Sequence, residues 1–398
     1  MAGEITVQQL FQTPTITKVI QQIASPLSLF QQFYGMTPGA TASQSVSGRY
    51  VGWDIVNPTR SIAKGRAPMT GPATVSRKPI GNVMAQVYRM HEKTLILQEE
   101  VFRVRPPGSA IGTVDLRGQS YVRRQIDFLT QKFRNSREFM VSRMFRGGWG
   151  VKLEGEDWVP VEYGDSTAVF NVDMQLPSTH KDYLAMGTGA NIITESWDDP
   201  AADIIGQLLT LDMASERESG RPLRHIWITG STFKYLLNNT GLQTGAGTAY
   251  RVFESLRARE SNMQVNGDKF PDSGFDVVFR ALPLHTFHVY NGGLILDQTS
   301  GVTESSETTP NQRSASYYNL LVPSNKAIFT PEPGSWCGWV EGSEVVAENL
   351  MDPGKEVFGF HPWTTRVIDP PGWELKVLDN GLPVLYEPYA VAYGTVIF

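Results

Sequence analysis

The 398-residue chain is 41% hydrophobic, enough for real cores and for two domains of ordinary size, so disorder in bulk is excluded. A formal charge of −5 is too mild to imply nucleic-acid wrapping or a polybasic membrane surface. The lone cysteine, Cys337, excludes an intrachain disulfide and a thiolate metal site and fits a reducing interior. Residues 1–13 hold Glu4 and no basic stretch before a hydrophobic core, so they do not read as a secretory signal. No apolar run reaches the length of about 18 residues that a membrane span requires, and no internal repeat is visible.

Residues 1–47 read as an arm. Leu10 and Phe11 make a turn or two of helix that Pro14 stops, and Ile16, Val19 and Ile20 make a second short amphipathic piece before Pro26. Leu29, Phe30, Phe33 and Tyr34 follow. Such pieces are too short to hold helix alone. Their anchors therefore pack on another surface, either of the same domain or of a neighbouring subunit.

From Arg49 to Gln98 the pattern turns to strand. Tyr50, Val51, Trp53, Ile55 and Val56 form one arm of a ribbon, and the stretch from Val83 to Met90 forms the other. Between them, residues 57–79 contain four prolines and two glycines, which excludes ordinary helix or central strand. The charge here is one-sided: Arg60, Lys64, Arg66, Arg77, Lys78 and Arg89 face no Asp or Glu between Ile55 and His91. Such a loop is either a solvated basic excursion or a projecting arm that docks on an acidic or polar surface of another copy.

Gln119 to Arg146 predicts one long helix, bounded by Gly118 and Gly147-Gly148. Val122, Ile126, Leu129, Phe133, Met140 and Met144 recur at steps of three, four and seven and lay a single apolar stripe along it. At about 1.5 Å per residue the helix is roughly 40 Å long, longer than most domains are wide. Its other face carries Arg123, Arg124, Lys132, Arg134, Arg137, Arg143 and Arg146 against Asp127 and Glu138, and reads as solvated or as turned toward DNA or an acidic neighbour.

Short strands follow to Val172, with a hairpin tip at Glu154–Asp157. Asp199 is the expected N-cap of the next helix and Pro200 its first residue, with Ile204, Ile205, Leu208, Leu209 and Leu211 inside it and an end near Gly220. His225–Thr229 reads as a buried strand, Ser231 as the cap of a short helix, Tyr250–Arg259 as a helix, and Phe275–Phe279 and Thr286–Tyr290 as strands. Gly301–Ser316 reads as a polar loop. Strands return at Ala327–Thr330, Thr365–Ile368, Glu374–Leu378, Leu382–Tyr386 and Ala390–Phe398.

Residues arranged for chemistry are scarce. Gly354-Lys355 is followed by Glu356 and lacks the rest of a phosphate loop; His91-Glu-Lys-Thr-Leu95 has leucine where a zincin helix needs its second histidine. Asp198, Asp199 and Asp203 fit a helix N-terminus, and His285 and His288, three apart in a strand-like stretch, point to opposite faces. No catalytic residue, metal site or cofactor site is expected.

The order of parts (apolar arm, basic ribbon, long helix, small hairpin, α/β module, returning strands) resembles the major capsid proteins of tailed bacteriophages, and among them the lambda-type capsid protein E family. The resemblance rests on Gly52–Arg60 with Arg77–Ile80, on Trp197-Asp-Asp-Pro-Ala-Ala-Asp-Ile204, on Ile226-Trp-Ile-Thr-Gly-Ser-Thr-Phe233, and on Gly381–Tyr389 before the terminal apolar strand. It implies an α+β, Hong Kong 97-like fold: an N-terminal arm at 1–47, an extended β-hairpin loop at 48–98, a peripheral domain at 99–180 and 330–398 with spine helix 119–146, and an axial domain at 181–329. It also implies self-assembly as hexamers and pentamers into an icosahedral shell around double-stranded DNA, in the virion, after assembly in the host cytoplasm. The implied partners are a portal, a decoration protein and, because no long charged leader precedes the arm, a separate scaffolding protein. Lys64 falls where one branch of that superfamily cross-links. An α+β enzyme and a nucleic-acid-binding protein are the competing readings.

Overall fold

A computed structural model describes residues 29–40, 42–55, 81–99, 116–155, 157–182, 184–186, 189–244, 263–266, 274–279, 281–295, 318–347 and 354–398. The chain divides into two compact units: residues 1–51, 85–143 and 338–384 form the first, and 52–84, 144–337 and 385–398 the second.

The first unit is a five-stranded sheet with a helix on it. Its strands run in the order β1 (Gln44–Val46), β16 (Cys337–Val346), β17 (Lys355–Val367), β18 (Gly372–Leu385), β4 (Tyr88–Leu97). Strands β17 and β18 pair antiparallel from Gly359↔Asn380 to Val367↔Gly372, and β18 pairs with β4 over ten residue pairs from Gly372↔Leu97 to Gly381↔Tyr88. The pattern of β4 alternates only in part, with Tyr88, Met90 and Ile96 buried and Arg89, His91 and Lys93 exposed, as expected of a strand with one wet side. The second ribbon arm expected from the sequence is thus two strands, β3 (Gly81–Gln86) and β4, separated at Val87, whose N–H donates to the Arg49 carbonyl at 2.9 Å. Strand β3 pairs instead with β2 (Tyr50–Ile55).

The spine helix is α2, Leu116–Met144, which starts before Gly118 rather than after it. A glycine costs about 1 kcal/mol inside a helix, which does not stop one whose later stripe is buried. Gly147, at φ +103°, ends it where expected. Short helix α1 (Leu29–Phe33) belongs to the same unit, with Leu29 and Phe30 buried.

The second unit is built on a seven-stranded mixed sheet. Its order is β10 (Met263–Asn266), β11 (Gly274–Phe279), β12 (Thr286–Tyr290), β9 (His225–Ile228), β15 (Lys326–Thr330), β19 (Ala392–Thr395), β8 (Lys181–Asp182). A continuous core joins this sheet to α3 (Ile204–Glu218) and α4 (Gly230–Asn238) through Ile204, Leu208, Leu211, Ile226, Ile228, Phe233, Leu236, Phe287 and Phe329. A three-stranded sheet, β6 (Asp157–Glu162), β5 (Gly148–Glu154), β7 (Phe170–Asp173), and the short helix α5 (Thr240–Thr244) lie in the same unit.

The N-cap of α3 is Asp203, not Asp199. The Asp203 carboxylate accepts from Gly206 N–H at 2.9 Å, whereas Asp199 closes a turn of its own by accepting from Ala201 N–H at 2.8 Å. A side chain at 206 would run into the Asp203 carboxylate, so the capped turn needs glycine there. The expected helix at 250–259 and the loop at 301–316 lie outside the described residues.

Candidate functional site

The most constrained polar cluster lies in the first unit, on α2. Arg137, 1% exposed, reaches Asp379 of β18 with both arms of its fork: Nε to Oδ2 at 2.5 Å and Nη2 to Oδ1 at 2.6 Å. Its Nη1 donates to the Met36 carbonyl at 3.2 Å, and the guanidinium lies 4.1 Å from the centre of the Trp339 ring. The planar fork matches a carboxylate in a way that lysine cannot, and the aromatic face completes the desolvated site.

The next residue, Glu138, is fully buried and holds the N-terminal segment. Its carboxylate accepts from Phe30 N–H at 2.8 Å, Gln31 N–H at 3.1 Å and Gln31 Nε2 at 2.9 Å, while Gln31 Nε2 also donates to the Arg134 carbonyl at 2.6 Å. Two neighbours of opposite charge thus fasten residues 29–36 and β18 to one helix. Nearby, burial pushes the Glu341 carboxyl above its ordinary range, with Arg137 opposing the shift and Asp379 adding to it. The basic face expected to be solvated is in large part interior: Arg134, Arg137 and Arg143 are buried. Arg123 and Arg124 are exposed. The apolar stripe of Val122, Ile126, Leu129, Phe133, Met140 and Met144 is buried throughout.

In the second unit four histidines each face a carboxylate. His180 Nε2 lies 2.6 Å from Glu218, His285 Nε2 3.0 Å from Asp212, His288 Nδ1 2.5 Å from Asp276, and His225 Nε2 2.9 Å from Glu332. His285 and His288 are both buried, and they do not share a strand as expected: His285 precedes β12 and only His288 lies within it. Among the described residues no group of three or more His, Cys, Asp or Glu side chains is arranged to hold a metal ion, and no helix is long and apolar enough to cross a membrane. Cys337 is buried, and burial raises its thiol pKa far above the ordinary value, which keeps it out of thiolate chemistry.

Several large apolar side chains stay in water. On the three-stranded sheet Leu153 pairs with Trp158, whose ring lies 5.2 Å from Phe170; Leu153 is 50% and Trp158 39% exposed. On α3, Leu209 and Met213, one turn apart, are 50% and 53% exposed. Of the arm anchors, Phe30 is buried and Phe33 half-buried. Leu10, Phe11, Ile16, Val19 and Ile20 of the arm, and Arg60, Lys64, Arg66, Arg77 and Lys78 of the loop, lie outside the described residues.

This arrangement of spine helix, long returning hairpin and separate mixed-sheet unit is an α+β, Hong Kong 97-like fold, the class of phage capsid proteins. It is similar to a prophage capsid protein from Escherichia coli CFT073, at 12% identity and a TM-score of 0.51 over 97% of this chain and 99% of that one. Likenesses at lower TM-score include a phage-related protein from Bordetella bronchiseptica RB50 (8% identity, 97% of each chain, 0.46) and the satellite phage P4 procapsid with its size determination protein (10% identity, 100% of this chain and 93% of that one, 0.42). No curated protein matches the sequence. The sequence does match the family of phage major capsid protein E over residues 12–396, and the chain belongs to that family. It is a shell-forming structural protein of the virion.

Proposed function

We propose that this chain closes, as hexamers and pentamers, into an icosahedral head around packaged double-stranded DNA, and that its role is structural, without catalysis of its own. The observation that carries this reading beyond the family is the apolar surface a single copy leaves uncovered. Leu153, Val169, Met213 and Val345 are 50%, 60%, 53% and 69% exposed, on four different elements or turns. Scattered apolar residues are ordinary on any surface, but a shell subunit contacts several neighbours and so exposes apolar groups on several sides.

In this reading residues 1–47 are the N-terminal arm, whose root is pinned by Glu138, and 48–98 are the extended loop, whose last strand joins the sheet of the first unit. Residues 99–180 and 330–398 are the peripheral domain, and 181–329 the axial domain. The loop residues Arg60, Lys64, Arg66, Arg77 and Lys78 meet an acidic or polar surface of a neighbour, where charge sets register more than affinity. Assembly takes place in the host cytoplasm with a scaffolding protein, a portal and a decoration protein.

The test is the triple variant Arg60→Glu, Lys64→Glu, Arg66→Glu beside the unaltered chain under negative-stain microscopy. The expected result is particles tens of nanometres across from the unaltered chain and folded subunits without shells from the variant. Normal shells from the variant overturn the role of the loop; the absence of any particle or capsomer from the unaltered chain, supplied with a scaffolding protein, overturns the assembly reading.

A further inference from the structure

The three-stranded sheet of the second unit runs an apolar stripe from buried positions out into water. Trp149, Val151 and Leu153 alternate along β5 and so share one face, with Val172 and Phe170 of β7 opposite the first two and Trp158 of β6 opposite Leu153. Trp149 and Val151 are 0% and Val172 1% exposed, yet one step further out Leu153 is 50% and Trp158 39% exposed. The rings of Trp158 and Phe170 lie 5.2 Å apart on either side of β5 and give the outer end a floor of aromatic and aliphatic carbon.

Beside that floor the chain is acidic. The tip between Leu153 and Trp158 reads Glu154-Gly-Glu-Asp157, and from Gly147 to Asp173 the sequence sets Glu154, Glu156, Asp157, Glu162, Asp165 and Asp173 against Lys152 as the sole cation. Register places Glu154 directly opposite Asp157. Like charges at paired positions cost a free sheet stability, even with Lys152 beside Glu154. A second acidic stretch, from Glu195 to Asp203, lacks such a floor: its Trp197 is fully buried, and its Asp199 and Asp203 are turned to the N–H groups of Ala201 and Gly206.

Residues 57–79 have the complementary composition: Arg60, Lys64, Arg66, Arg77 and Lys78, no acid, and prolines at Pro58, Pro68, Pro72 and Pro79. Proline rings and the methylene stems of arginine and lysine pack on aromatic faces, and a cation over a tryptophan gains further from the ring quadrupole. Residues 56–80 separate β2 from β3, chain enough to double back over about 45 Å. Resting on the reading that this loop meets a neighbour, we propose that the outer end of the three-stranded sheet is the docking surface for segment 57–79 of a second copy. Leu153, Trp158 and Phe170 take its prolines and aliphatic stems, and Glu154 with Asp157 draws its cations.

Charge and apolar carbon contribute differently to such a contact. Burial of Leu153 and Trp158 holds the docked segment, while the opposed charges steer it in and set its register. A cation brought to the tip also relieves the repulsion between Glu154 and Asp157, so the sheet itself gains from being docked. Added salt screens the exposed charges and leaves the apolar part, so it slows docking more than it reverses it.

The experiment is photocrosslinking in shells assembled from an equal mixture of full-length copies grown in ordinary and in heavy nitrogen, with Leu153→benzoylphenylalanine in the ordinary copies alone. Mass spectrometry of the digest reads which segment, from which copy, is joined to position 153. The expected product is residues 57–79, half of it heavy. Glu154→Lys with Asp157→Lys is expected to lower its yield by about tenfold, and adding Arg60→Glu, Lys64→Glu and Arg66→Glu to the same chain to restore it. A product that is entirely light shows the loop on its own subunit and overturns the proposal, as does a product from any other segment, or a yield that the charge exchange does not restore. Shells that form while position 153 joins elsewhere leave the assembly reading standing; subunits that never associate overturn both.

Discussion

The two units are held by different means. In the first, the parts that meet are far apart in sequence and are joined by buried charge: Arg137 and Asp379 are 242 positions apart, and Glu138 and Phe30 are 108. In the second, one broad apolar core runs from Leu184 to Val396, and the buried polar groups include histidine–carboxylate pairs. Apolar packing is non-directional and tolerates substitution, whereas a forked guanidinium admits one partner in one register. The unit assembled from an N-terminal segment, a helix and a late hairpin uses that contact in its interior, whereas the comparable fork of the second unit, Arg221 to Glu387, is only part-buried.

The largest effect that separates these modes is expected from Asp379→Ala. It leaves Arg137 charged and unpaired in the interior and should cost about 3–5 kcal/mol in denaturant unfolding, while the double change Arg137→Met with Asp379→Leu should recover most of that loss. Failure of the apolar pair to recover it would mean that the fork supplies stability as well as register. Next, Glu138→Ala strands three donors of residues 30 and 31 and should cost about 2–3 kcal/mol, with early hydrogen exchange confined to α1 and its flanks. In the second unit Asp203→Ala removes only the α3 cap and should cost about 1 kcal/mol. Smallest is Lys93→Ala: Lys93 Nζ lies 3.0 Å from Glu374, but its side chain is 65% exposed, so a thermal melt should register less than about 0.5 kcal/mol.

What the sequence showed follows the same division. Periodicity displayed the spine helix and its stripe from Val122 to Met144, and strand composition displayed β9, β12 and β15, because those signals are local. Glycine and proline misled where they mark close approach rather than a turn. Strand β16 was not expected, since Gly338 and Gly342 interrupt it, yet a side chain at 342 would crowd Asn380 and Val87 at 3.1 Å. Glu374–Leu378 and Leu382–Tyr386 look like two strands in the sequence, but they are one, β18, and Gly381 within it lets the Trp339 ring lie against the backbone. Pro362 and Pro383 sit inside β17 and β18. No local pattern could have paired Arg137 with Asp379 or told a buried arginine from its solvated neighbours, because the partner that neutralises it is supplied by a distant strand. Local pattern leaves the arm open between its own domain and a neighbour; its described root lies on its own unit, through Phe30 and Gln31.

The claim that copies of the chain cover one another is tested most directly by sedimentation velocity of the unaltered protein over a wide concentration range, with and without a scaffolding protein. The account predicts that the monomer gives way to capsomer rings and then to closed particles, with Leu153, Trp158 and Met213 losing exposure to solvent-borne labels as it does. A folded monomer that persists at every concentration under both conditions, with those side chains still open to label, would contradict it.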